Sequence, residues 1–137
     1  AIDKNVKATR ESQHGPQVDL VAPGADMVAA CKGGSELCDS HGTSDATALA
    51  SASAALIWSQ HPDWTNNQVL RVLLNTASGP VSGKERTDSI GYGAVRPRIA
   101  LTDPGNPGRA DEYPLPDYKS GGSAAAQGGA SAKPSTG

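Results

Sequence analysis

Apolar residues in this chain fall into groups, and their spacing changes from one group to the next. In "QVDLVAPG", Val18, Leu20 and Ala22 alternate with polar or second-face positions until Pro23-Gly24 stops the run, which predicts a strand ending in a turn. "DMVAAC" predicts a second short strand leading into the turn-rich "KGGSEL". From Ser44 to about Gln60 the pattern is helical, with Ala46, Leu49, Ala50, Ala54, Leu56 and Ile57 spread over nearly every side. A helix without a polar face belongs inside, packed between layers.

The next helix is better marked at its start. "DWTNNQVLRVLLNTAS" offers Thr65 as N-cap, Gln68 to complete a capping box, and Trp64 to staple onto Val69. Val69, Leu70, Val72 and Leu73 form its apolar stripe and leave Arg71 and Asn75 for water, so a surface helix is expected. "SGPVSGKERTDS" is loop. "IGYGAVRPRIAL" returns to order with a short helix from about Arg96 to Leu101, Pro97 in its first turn. After a folded part, residues 1–103, the chain turns to Pro, Gly, Ser and Ala. Residues 104–137 cannot bury enough apolar surface to offset their conformational entropy, so an extended or disordered tail is expected. Within it "YPLPDY" is either a polyproline spacer or a segment that docks through Tyr113 and Leu115.

Composition narrows the function. Only 36% of the 137 residues are hydrophobic and Phe is absent, which fits one small domain or a part of something larger. The formal net charge of −2 offers no basic patch, so no nucleic acid partner is expected. The longest apolar run, about fifteen residues diluted by serines, is short of the roughly 20 that span a bilayer. "AIDKNVKA" has neither the charged region nor the apolar core of a signal peptide and has the character of a strand entered in mid-course. Cys31 and Cys38 flank the glycine-containing loop. A disulfide between them would close a loop worth about 2.5 kcal/mol on the chain-entropy model and would suit an exported protein. Free thiols are a second reading. A metal site from Cys31, Cys38 and His41 is a third, with no evident fourth ligand and no common zinc spacing.

The candidate chemistry lies at the front of the long helix, in "DSHGTSDATALASASAALIWSQ". Gly42 permits an unusual turn and the close approach of a substrate backbone. A serine at a helix N-terminus has a free backbone N–H, and the aligned peptide dipoles favour negative charge just outside it, the environment a tetrahedral oxyanion needs. "GTS" before a helix is also an ordinary N-cap, in which Thr43 or Ser44 caps the first turn.

The wider arrangement bears on that choice. "GPQVDLVAPG", then "GTSDATALASASAALIWSQHPDWTNNQVLRVLLNTA", then "GYGAVRPRIAL" resemble, in order and spacing, the C-terminal part of a subtilisin-like serine peptidase domain across residues 1–102. The tail and the cysteine pair make the chain similar to exported actinobacterial members, the mycosin-like group included. This resemblance implies an α/β, three-layer subtilisin-like fold with a largely parallel sheet, of which only the C-terminal portion is present. It implies Ser44 as nucleophile, the Ser44 backbone N–H in the oxyanion hole, and peptide-bond hydrolysis through an acyl-enzyme without any cofactor or metal. The chain order Asp, His, Ser of the family's triad places the first two members, and the oxyanion-hole Asn, upstream of Ala1.

Two departures stand out. Ala48 occupies the position of a family proline, at little cost because Ala continues a helix well. Asp45 follows the nucleophile, and the resemblance puts it with His41 on the leaving-group side. His61 ends the long helix, some 24 Å from Ser44 at about 1.5 Å per residue, and His14 lies in a loop, so neither is placed to be its base. Asp19, Asp26 and Asp39 are expected as turn and strand-edge residues. The expected partners are a protein or peptide substrate and the upstream half of the same domain, in a secreted or cell-surface protein. The tail is compatible with a spacer toward a membrane anchor after Gly137. Two rival functions are a non-catalytic peptide-binding or assembly module of the same fold, and a small interaction domain stapled by a disulfide or metal.

Overall fold

The computed structural model describes residues 1–31, 33, 36–80 and 82–115. Among them, β1 (Met27–Ala30) and β2 (Leu37–Ser40) form a hairpin that leads into α1 (Thr43–Gln60), followed by α2 (Asn66–Thr76) and α3 (Pro97–Thr102). The three helices pack on one another around Ile57, Val69, Val72, Leu73 and Ala100. Ile57 and Val72 have no exposed surface. Burying a side chain of this size contributes about 1.5–3 kcal/mol, so this cluster anchors the helices.

Local sequence sets how α2 leaves α1. The Thr65 N–H donates to Gln68 Oε1 at 3.0 Å, closing the expected capping box, while Trp64 packs against the cluster that contains Val69. Trp58 Nε1 donates to the Trp64 carbonyl at 2.8 Å, and the His61 ring stacks on Trp64 with centroids 3.7 Å apart. These contacts fix the turn between the helices. Pro97 opens α3 as its first residue, where its missing N–H costs nothing.

The extended segments differ from expectation. Residues 17–24 are not a continuous strand but make single parallel bridges, Val21 with Ala94 and Pro23 with Ile2. Val21 N–H donates to Gly93 O at 3.1 Å and Val95 N–H to Val21 O at 2.9 Å, while Ile2 N–H reaches Ala22 O at 3.0 Å. Pro23 has no N–H to extend the pairing with residues 93–95, whereas on the other side Gly24 N–H donates to Ile2 O at 3.0 Å. The sheet among the described residues is the antiparallel pair β1–β2, with Met27 opposite Ser40 and Ala30 opposite Leu37. A second cluster, Ile2, Val21 and Ile90, closes over the bridges.

The long helix also departs from its expected burial. Only Ala46, Ser53 and Ile57 of α1 are buried, whereas Ala48, Leu49, Ala52, Ala55 and Leu56 are exposed. The physical reason is that α2 and α3 supply packing on one side, and the described residues place no layer on the other. Among the described residues regular structure stops at Thr102, yet residues 108–112 pack on α2. Thr65 Oγ1 and Asn67 Nδ2 both donate to the Ala110 carbonyl, at 2.9 and 3.0 Å, and Gln68 Nε2 donates to the Gly108 carbonyl at 3.0 Å. Docking thus runs through Gly108 to Glu112, whose carboxylate lies 3.4 Å from Arg71. Of "YPLPDY", Pro116 to Tyr118 lie outside the described residues, as does the remainder of the tail.

One prediction follows from the one-sided packing of α1. Ile57→Ala is expected to lower the unfolding free energy of this chain by about 2–5 kcal/mol, and Leu56→Ala to stay within about 0.5 kcal/mol. Urea unfolding of the two variants checks it; equal losses would mean that Leu56 is covered.

Candidate active site

Ser44 sits in the first turn of α1, exposed to solvent. The chain reaches it by a sharp path. Gly42 is the N-cap, with φ 144° and ψ 170°, a conformation essentially restricted to glycine. Its N–H donates to the Gly24 carbonyl at 2.7 Å, which pins the start of the helix to the turn after Ala22 and Pro23. A Cβ on Gly24 would lie 2.5 Å from the Gly42 carbonyl oxygen, so both residues of this crossing need to be glycine. No side-chain hydrogen bond caps α1, which sets aside the ordinary N-cap reading of "GTS". Among the described residues neither the Ser44 hydroxyl nor its N–H has a hydrogen-bond partner. An exposed hydroxyl and a free N–H, at the positive end of an 18-residue helix, can together bind and attack a carbonyl.

Asp45 takes a definite position. Ser40, the last residue of β2, donates its hydroxyl hydrogen to Asp45 Oδ2 at 2.8 Å. His41 points elsewhere: its Nδ1 lies 3.6 Å from Glu11 Oε1, and its side chain is 80% exposed. Glu11 is held below the usual carboxylate range, chiefly by a hydrogen bond from its own backbone and then by His41. His41 and Glu11 share a cleft of about 460 Å³ with Thr9, Ala25, Asp26, Asp39 and Ser40. Thus Asp26 and Asp39, expected only at turns and strand edges, help line an acidic cleft next to the helix start. A smaller cleft of about 230 Å³ lies along α1, bordered by Leu20, Val21, Ala22, Thr43, Ala46 and Thr47 among others.

His14 lies in a loop and His61 directly after α1, as their positions in the sequence indicate. His14 Nδ1 is 3.1 Å from Ser89 Oγ, and His61 stacks on Trp64 at the far end of α1. Among the described residues neither is hydrogen-bonded to Ser44. Cys31 and Cys38 are joined by a disulfide with Cα atoms 5.4 Å apart, across a turn in which Cys31 N–H donates to Glu36 O at 2.9 Å. The pairing removes the thiolates that a metal site at Cys31, Cys38 and His41 would need. The described residues hold no group of three or more His, Cys, Asp or Glu arranged for a metal, and no helix among them is long and apolar enough to cross a membrane.

Sequence reasoning missed the Ser40 contact and the Glu11–His41 pair. Ser40 is separated from Asp45 by a glycine turn, which no helical or strand period describes, and Glu11 is remote in the chain. The Gly42 geometry generates a prediction: Gly42→Ala should destabilise the fold by about 1–3 kcal/mol, read from denaturant unfolding. An unchanged midpoint would show that the turn relaxes without strain.

Comparison with known proteins supplies the relationship. The model of the subtilase family, peptidase family S8, matches residues 1–111. Subtilisin Savinase from Lederbergia lenta is 36% identical over 100 residues, which cover 73% of this chain and 35% of that protein. Mycosin-5 from Mycobacterium tuberculosis is 32% identical over 114 residues, covering 74% of this chain and 19% of that protein. The crystal structure of MycP1 from Mycobacterium smegmatis superposes with a TM-score of 0.67 at 27% identity, over 79% of this chain and 30% of that one. A chain in the structure of an intact ESX-5 inner membrane complex gives a TM-score of 0.69 at 29% identity, over 81% of this chain and 27% of that one. The chain therefore spans about a fifth to a third of the length of these relatives. A helix opened by Gly-Thr-Ser, the crossing that holds it and the family match together show that this chain belongs to the subtilase family of subtilisin-like serine peptidases and resembles its mycosins.

Proposed function

We propose that these residues are the nucleophile-bearing, C-terminal part of a serine endopeptidase domain, in which Ser44 forms an acyl-enzyme with a peptide substrate. The observation that carries this reading is the exposed, unpartnered Ser44 at the N-terminus of α1, behind a glycine-only turn. Ser44 Oγ bonds to the carbonyl carbon as its proton passes to a histidine base, and the Ser44 N–H receives the oxyanion. The histidine, its aspartate and an oxyanion-hole asparagine come from chain preceding Ala1. That chain also completes the three-layer fold and its largely parallel sheet. It covers Ala48, Leu49, Ala52, Ala55 and Leu56, the face that α2 and α3 leave open. No cofactor is required.

A disulfide-closed hairpin suits an oxidising compartment, so the proposed location is secreted or cell-surface. The likeness to MycP1 and to a chain of an ESX-5 inner membrane complex supports work beside other proteins at the cell envelope. A membrane anchor beyond Gly137 belongs to the same proposal.

A fluorophosphonate probe tests the central claim. It is expected to label the complete domain at Ser44, to fail on Ser44→Ala, and to leave the 137-residue chain unlabelled. The serine without its base loses on the order of 10⁴ to 10⁶ in rate. A complete domain that takes up no probe would instead favour a non-catalytic binding module.

The cleft beside the helix start supports a substrate preference. Glu11, Asp26, Asp39 and the neighbouring Asp45 make the leaving-group side negative, so a basic residue just after the scissile bond is favoured and an acidic one disfavoured. With paired peptides bearing Lys or Glu at that position, Asp45→Asn in the complete domain is expected to lower the Lys-to-Glu ratio of kcat/KM, and more so at low salt. An unchanged ratio would remove Asp45 from the preference.

A further inference from the structure

We propose that Ser40 is a positioning residue for this reaction: its hydroxyl holds the Asp45 carboxylate at the end of β2 and keeps that charge off the backbone N–H groups that receive the oxyanion. The proposal rests on the reading of Ser44 as nucleophile. Asp45 directly follows Ser44 in the first turn of α1, where the helix N–H groups have no intrahelical acceptor. A carboxylate there is drawn toward those donors by the helix dipole, and the developing oxyanion needs the same donors. An unrestrained Asp45 is therefore an internal competitor for the site. In the structure one of its oxygens is already committed, accepting the Ser40 hydrogen bond at 2.8 Å.

The backbone makes this contact. Gly42, at φ 144°, folds the end of β2 across the start of α1, so that Ser40 comes alongside the first turn although five positions separate it from Asp45. Gly42 N–H holds that crossing to the Gly24 carbonyl at 2.7 Å. Ser40 itself is half-buried and pairs with Met27 in the hairpin, which fixes the direction of its side chain. The Ser40–Asp45 contact thus separates two effects of one charge: Asp45 still complements the dipole, but from the strand side.

The experiment uses the complete domain and a peptide with alanine after the scissile bond, so that the charge preference of the cleft does not enter. Ser40→Ala is expected to lower kcat about tenfold with KM little changed, since a misplaced charge acts on the oxyanion rather than on ground-state binding. Ser40→Thr, which keeps the hydroxyl, should stay close to the parent. Asp45→Asn added to Ser40→Ala should restore most of kcat, because the competing charge is gone; a merely structural tie would not be rescued in this way. An unchanged kcat in Ser40→Ala, or a double variant as slow as Ser40→Ala, overturns the proposal while leaving the peptidase reading intact. Failure of the parent domain to take up a fluorophosphonate at Ser44 overturns both.

Discussion

The crossing of Gly24 and Gly42 is the constraint on which the rest of the site depends. Gly42 N–H donates to Gly24 O, and Gly24 N–H donates to Ile2 O at 3.0 Å, so the N-terminal segment, the turn after residue 22 and the start of α1 are held in one line. Neither glycine has room or dihedral freedom for a side chain, because Gly24 faces the Gly42 carbonyl and Gly42 adopts a conformation reserved for glycine. Three features meet at this point: the hairpin that carries Ser40, the abrupt helix start, and the bridge from Pro23 to Ile2.

From that point α1 runs toward a packed end and away from an open one. Ile57 is buried against Val69, Val72, Leu73 and Ala100, while Leu56, its neighbour in sequence, is 50% exposed. The described residues leave the other apolar side of α1 uncovered, and the chain spans only about a third of the length of such relatives as Subtilisin Savinase and MycP1. The covered end is reinforced from an unexpected direction. Residues 108–112 meet α2 through backbone carbonyls rather than apolar side chains, so a segment with little hydrophobic content is still held in place.

With Ser44 as the proposed nucleophile, electrostatics at the other end of α1 is a balance between two uses of the same donors. A carboxylate in the first turn stabilises a helix by about 0.3–1 kcal/mol, and an oxyanion requires that those N–H groups be free. The Ser40 hydroxyl lets Asp45 contribute to the first without blocking the second. Glu11, Asp26 and Asp39 add further carboxylates in the cleft next to the start of α1.

Much of this was legible in the sequence, because it depends on neighbours along the chain. The capping box at Thr65 and Gln68, Pro97 opening α3, the helix from Thr43 to Gln60 and the glycine before Ser44 follow from local propensity and backbone freedom, and the Cys31–Cys38 pair from a short turn-rich loop. The order of the motifs carried the family. Tertiary structure decided the rest. The run at 17–24 had the alternation of a strand but too few partners and a proline at its end, so it became single bridges. Uniform apolarity could not say which side of α1 would be covered, since that depends on where α2 and α3 land. The contacts of Ser40 with Asp45, Glu11 with His41, and Thr65 with Ala110 join residues through turns and across long separations, and such contacts leave no period in the sequence because the folded backbone alone brings their atoms together.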